Sequence, residues 1–282
     1  YSYVTTGDYR LNPEHPPLIK DLAAIPLVFW GAKFPYDLWR ANSPVINNQW
    51  EMGWSFIYKM GNNPDTLVLL ARIPMMLVSL LFGYFVYRWA KELFGKKAGV
   101  FALVLYVFNA NIIAHSRFVT TDLGISFALF LAMYLLYIFI RKPKFSTLML
   151  ASLGFGITLI TKFSAAILVP AFMIVFIMLL IRRGDKEEKA FLARINDKKL
   201  FKRFISGFAS FLIIALVGFA FMWVFYVPHT INMPAQVQRN LIEESLPGDT
   251  GLAKTARGTL EQMSDSAVTK PVAQWFLGFV MV

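Results

Sequence analysis

Residues 123–140 read LGISFALFLAMYLLYIFI, eighteen positions without a charge, closed by Asp122 on one side and by Arg141 and Lys142 on the other. As an α-helix this run rises about 27 Å, close to the thickness of a bilayer's hydrocarbon layer. Stretches of the same character recur near residues 67–88, 98–115, 146–161, 163–181 and 204–227. The sequence therefore predicts an all-α, polytopic transmembrane bundle with about six spanning helices between residues 67 and 227. Composition supports the same reading: with 57% hydrophobic and only 16% charged residues, a water-soluble chain would carry more apolar surface than it could bury. The stretches 146–161 and 163–181 are separated only by Thr161-Lys162-Phe163-Ser164, which requires a tight turn between two short or tilted helices. Gly83, Gly154, Gly156, Gly207 and Gly218 lie inside the apolar runs, where small residues let helices approach closely.

Orientation follows from the basic residues of alternate connections. Arg88, Lys91, Lys96 and Lys97, then Arg141, Lys142 and Lys144, then nine more between Arg182 and Arg203, make 16 of the 28 Lys and Arg. Five acids accompany them, so these three connections carry +11, the whole formal charge of the chain. They are predicted to be cytoplasmic, and the rest, with 12 basic and 12 acidic residues, is electrically balanced. The high basicity thus follows from membrane topology and gives no reason to expect nucleic acid as a partner.

The scheme places residues 1–66, the turn 111–122, the Lys162 turn and the loop 228–270 on the extracytoplasmic side. Within the first, Leu18 to Phe29 is apolar enough for a buried or interfacial helix, and Trp30, Phe34, Tyr36, Trp39, Trp50, Trp54 and Tyr58 suit the headgroup level. Residues 271–282 read as the start of a further spanning helix. The chain opens at Tyr1 and ends inside an apolar run, so residues 1–282 are expected to form a single membrane domain cut at both ends. Cysteine is absent, which excludes disulfides and thiolate metal sites.

Chemistry is to be sought on the balanced face. Asn12-Pro13-Glu14-His15-Pro16-Pro17-Leu18 sets ionisable groups ahead of two prolines. These hold φ near −65°, disfavour helix at His15 and suit the first turn of the following helix. Glu14 and His15 then stand at a helix N-terminus, where the dipole alone favours a carboxylate, although a Glu beside a His can also bind a divalent metal. A second cluster, His115-Ser116-Arg117-Phe118-Val119-Thr120-Thr121-Asp122, leads into the span at 123–140. Capping accounts for Asp122 at about 1 kcal/mol, and Arg117 either snorkels to a lipid phosphate or binds the phosphate of a lipid-linked substrate. Lys162 has no acidic neighbour in sequence; at a helix break it reaches the interface, and a phosphate would suit it. The late segment, with His229, Arg239, Glu243 and Glu244, reads as a solvated and partly mobile loop or as a lid over a substrate cavity.

Three motifs in order, Asn12 to Leu18, Arg117 to Asp122 and Thr161-Lys162-Phe163-Ser164, make the chain resemble bacterial and archaeal glycosyltransferases of the C-type membrane fold. The dolichyl-phosphate-mannose protein mannosyltransferases and the lipid A aminoarabinose transferases are the families it is similar to. The resemblance extends over nearly the whole chain. It implies transfer of a sugar from a polyprenyl phosphate donor to a hydroxyl of a protein or lipid, with inversion, on the outer face of a prokaryotic plasma membrane. It implies Asp122 and Glu14 as catalytic acids, and Lys162, Arg117 and His15 as ligands of the donor phosphate. Glu14, His15 and His229 become candidate ligands of a divalent metal ion. In such chemistry a carboxylate takes the proton of the attacking hydroxyl while cations stabilise the departing phosphate. In these families the acid usually assigned as the base lies upstream of the Pro-Pro-Leu motif. Asp8 is the only acid before Glu14 and reads as a turn residue, so the chain by itself is expected to be inactive. A secondary transporter would instead show paired broken helices, of which the sequence offers one, at Lys162. A noncatalytic lipid-binding member of the same fold would lack the base.

Overall fold

The computed structural model describes residues 1–41, 49–181, 200–248 and 251–282; most of the basic segment 182–203 lies outside the described residues. The chain folds as α1 (Ser2–Thr6), α2 (Leu18–Trp30), α3 (Tyr36–Ala41), α4 (Gln49–Trp54), a π-helical turn (Ser55–Lys59), α5 (Pro64–Phe94), α6 (Lys96–Val107), α7 (Ala110–His115) and α8 (Thr121–Arg141). It continues as α9 (Phe145–Leu159), a 3₁₀ turn (Phe163–Ile167), α10 (Leu168–Ile181), α11 (Leu200–Thr230), α12 (Ala235–Ser245), α13 (Gly251–Met263) and α14 (Lys270–Val280). The described residues are all-α, as the apolar periodicity predicts. Among the described residues three helices are long and apolar enough to cross a membrane: α5, α8 and the Gly207–Thr230 part of α11; α9 and Phe163–Met178 are apolar but shorter. Exposed leucines such as Leu77, Leu80 and Leu216 mark surfaces suited to lipid.

The stretch 98–115 is divided. α6 ends after 12 residues, about 18 Å of rise, which is too short to span alone. Phe108 closes it with its N–H on Val104 O at 3.0 Å, and Asn109, whose amide competes with helical hydrogen bonding, separates it from α7.

Two compact units divide the chain. One comprises residues 81–109 and 121–222. In it α8 packs along α9, and a Cβ on Gly154 would stand 3.1 Å from the Ala132 Cα. A Cβ on Gly156 would meet Gly218 O at 2.9 Å, so α9 and α11 touch backbone to backbone. An aromatic ladder joins α5 to α8: Phe82 with Phe127, Phe85 with Tyr134, and Trp89 with Phe130 and Tyr137. The glycines inside the apolar runs thus act through packing.

The other unit comprises residues 1–80, 110–120 and 223–282. Its core holds Tyr3, Tyr9, Ile19, Ala24, Leu27, Tyr226, Met233 and Leu241. The N-terminal segment is tied to the end of α11. Gly7, left-handed at φ 66°, approaches so closely that a Cβ would lie 2.9 Å from Pro228 O. Asn232 N donates to Gly7 O at 3.1 Å and its side-chain amide to Thr6 O at 2.7 Å. Asp8 and Arg10, both buried, form an ion pair inside the turn, with the guanidinium over the Trp39 ring; Asp8 is thereby a turn residue.

The described residues of the segment 228–270 are largely helical. α12, α13 and α14 pack on one another, burying Val237, Leu241, Ile242 and Leu260. The i, i+4, i+5 spacing in α12 makes one apolar stripe, while Glu243 and Glu244 remain exposed. Gln238 Nε2 donates to Gln274 Oε1 at 2.9 Å, a buried polar link between α12 and α14.

Candidate active site

At Lys162 the backbone leaves the helix. α9 ends at Leu159, the Thr161 hydroxyl donates back to Ile157 O at 2.6 Å, and Lys162 is extended at φ −162°, ψ 148° before the 3₁₀ turn begins. This break lets the side chain cross to the first turn of α8, where Lys162 Nζ donates to Asp122 Oδ1 at 2.7 Å. The Asp122 side chain is 54% exposed and that of Lys162 25%. A pair this open contributes at most about 1 kcal/mol to stability. Asp122 is also favoured by its place at the α8 N-terminus.

Glu14 and His15 belong to the other unit and lie half-buried on a turn fastened from several sides. Tyr3 OH donates to Asn12 O at 3.1 Å, Tyr9 OH donates to His15 O, and Asn12 Nδ2 donates to Gln49 Oε1. Lys20 Nζ donates to Asn12 O at 2.7 Å and to His15 O at 2.9 Å, between the rings of Tyr3 and Tyr9, each 5.4 Å away. Burial brings the Lys20 pKa down to about 7, against the opposing pull of Asp21 and Glu14. Burial likewise raises the Tyr3 and Tyr9 hydroxyls, which stay neutral donors.

His229, in the last turn of α11, is engaged at both ring nitrogens: Nδ1 lies 2.8 Å from Phe225 O and Nε2 lies 2.6 Å from Asp21 Oδ2. A metal at His229 would have to displace one of these. Among the described residues no three His, Cys, Asp or Glu gather into a group that could hold a metal ion. Arg117 is exposed, with its guanidinium 5.6 Å from the Phe118 ring and that of Arg72 5.2 Å from the same ring. His115 Nδ1 lies 3.5 Å from the Thr120 hydroxyl.

Of the residues singled out from sequence, the structure joins Asp122 to Lys162 and leaves Glu14 and His15 side by side on their turn. Lys20, Asp21 and Arg72 were missed. A Lys-Asp pair inside the otherwise apolar Leu18–Phe29 stretch was a usable signal, since ionisable groups there need partners.

α9 and α10, which flank Lys162, line with α11 an apolar cleft of about 350 Å³, walled by Phe155, Phe172, Phe176, Phe204, Phe208 and Phe211. Its rings offer an elongated hydrocarbon a surface with almost no competing polar group.

Comparison with curated proteins and with solved structures finds no match. Residues 56–195 match the family described as dolichyl-phosphate-mannose-protein mannosyltransferase, a segment that contains α5 to α10 and both members of the Asp122–Lys162 pair. The matched segment, just under half of the chain, supports a membrane glycosyltransferase of this type.

Proposed function

We propose that the protein transfers a sugar from a polyprenyl phosphate donor to a hydroxyl acceptor on a protein or lipid, at the extracytoplasmic face. The observation that carries this reading is the open Asp122–Lys162 pair beside helices that also wall an aromatic cleft. The prenyl chain would lie in the cleft and the donor phosphate would take Lys162 from Asp122. Freed of its ammonium, Asp122 accepts the proton of the attacking hydroxyl. The acceptor oxygen bonds to the anomeric carbon as the bond from that carbon to the phosphate oxygen breaks, and polyprenyl phosphate leaves with its charge held by Lys162. Within the other unit Glu14 is a separate candidate acid, and His15 and Arg117 are separate candidate phosphate ligands. The outer face is supported by the run of basic residues at the other end of α8, Arg141, Lys142 and Lys144.

The test is release of polyprenyl phosphate from a polyprenyl phosphate sugar in membranes containing the protein. Asp122→Asn, Lys162→Ala and Glu14→Gln are each expected to reduce release at unchanged protein level. Full activity in all three overturns the site, and solute flux in proteoliposomes without lipid donor would point to a transporter.

A further inference from the structure

At the end of α8 remote from Asp122, a cavity of about 360 Å³ lies among Arg88 and Glu92 of α5, Tyr134, Tyr137 and Arg141 of α8, and Lys142. Three cations and one acid give its wall a net charge of +2. The two arginines, Glu92 and the two tyrosines are held in place by one another. Glu92 Oε1 accepts from Arg88 Nε at 3.1 Å and from Tyr134 OH at 2.8 Å, and the Arg88 guanidinium sits 5.9 Å from the Tyr134 ring. Arg141 Nη1 donates to Tyr137 OH at 3.1 Å, with its guanidinium 5.7 Å from that ring.

A lone basic residue at the end of a span merely snorkels. Here two guanidinium groups and an ammonium line one side of a half-open pocket with room for a headgroup. The exposed i,i+4 pair Arg88–Glu92 contributes little to stability, so folding alone gives slight reason for the arrangement. Asp122 and Arg141 are 19 residues apart on one helix, a rise of about 28 Å that approaches the hydrocarbon thickness of a bilayer.

We propose that this cavity binds the phosphate of an anionic phospholipid from the leaflet opposite the Asp122–Lys162 pair. Guanidinium forks match phosphate oxygens in pairs, Lys142 adds a point charge, the tyrosine hydroxyls donate to or accept from the glycerol, and the pre-placed cations lose little freedom on binding. Basic pockets between helix ends on the positively charged side of a membrane protein are where such headgroups are recognised. The site is independent of the glycosyl-transfer reading and shares none of its residues.

Thermal unfolding of the full chain in detergent micelles tests it, with dioleoylphosphatidylglycerol, dioleoylphosphatidylcholine or inorganic phosphate added to wild type, K142Q and R141Q/K142Q. Phosphatidylglycerol is expected to raise the wild-type midpoint roughly 3 °C further than phosphatidylcholine does. The double variant loses at least half of that difference, and K142Q, whose ammonium is exposed, loses part of it at an unchanged midpoint in phosphatidylcholine. Equal gains from the two lipids in wild type, or an undiminished phosphatidylglycerol gain in both variants, would overturn the proposal. A gain from inorganic phosphate matching that of phosphatidylglycerol would overturn the lipid assignment in favour of a free anion. Should the double variant not fold, K142Q and native mass spectrometry of lipid retained by wild type decide the question on the same terms.

Discussion

Asp21 and His229 meet at 2.6 Å with 14% and 8% of their side chains exposed, whereas Asp122 and Lys162 meet at 2.7 Å with 54% and 25% exposed. The lengths are nearly equal and the surroundings are not. His229 is held at both nitrogens, stacks on Phe225 and faces Tyr9 edge-on, so opening its pair would strand a buried carboxylate. Lys162 sits at a helix break and partners a carboxylate open to solvent, so water or a phosphate can replace either member at small cost. A buried pair that is over-determined fixes the position of helices; an exposed one can exchange partners during a reaction cycle. The contrast separates stability from turnover, and substitutions can probe it.

The largest expected effect is on turnover. Asp122→Asn should lower sugar transfer by about 10²–10⁴-fold, while the unfolding midpoint moves by no more than an exposed pair allows, about 1 kcal/mol. A large loss of stability with retained transfer would reverse the assignment of the two pairs. Next, Asp21→Ala should destabilise by about 1–3 kcal/mol, because His229 Nε2 is left without its buried hydrogen-bond partner; detergent unfolding measures it, and a change well below ~1 kcal/mol would make this pair equivalent to the exposed one. Gly156→Ala should cost about 1–3 kcal/mol by overpacking against Gly218 and Phe221, read in the same assay.

The last expected effect is a pH slope. Lys20 has a folded pKa of about 7, below the ordinary lysine value of 10.5, so between these values the unfolded chain binds more protons. Its desolvation penalty is fully present below pH 7 and is relieved as pH rises toward 10.5, adding up to about 1.4 kcal/mol per pH unit within that window. Stability measured from pH 7 to 9 should therefore rise in wild type and rise less in Lys20→Met. Parallel slopes would show that the ammonium stays charged against the Asn12 and His15 carbonyls.

Local features were legible in the sequence because their causes are local. The uncharged run at 123–140 became α8, the prolines at 16 and 17 preceded α2, and the four residues around Lys162 became a break. Asn109 was a visible interruption of the run 98–115, outweighed in reading by the hydropathy around it. The α12 stripe was present at Val237, Leu241 and Ile242 but was masked by interleaved charge. Asp21 and His229 could not be paired from sequence, since 208 residues separate them and no short-range pattern relates the two. The family resemblance, carried by Asn12 to Leu18 and the two later motifs, located Asp122 and Lys162 without revealing that they touch.

The clamp between Gly7 and Asn232 bears on biogenesis. The segments that form the unit around residues 81–109 and 121–222 are all synthesised before the end of α11, whereas the N-terminal unit needs residues after 223 to close. At 5–20 residues per second, the 208 residues between Asp21 and His229 take roughly 10–40 s to synthesise. Through that interval α2 and its ionisable face wait without their partner. Ribosome-arrested chains ending before residue 223 should leave the first 30 residues open to protease, and chains extended past α14 should protect them; protection in both would show that the N-terminal segment folds unaided.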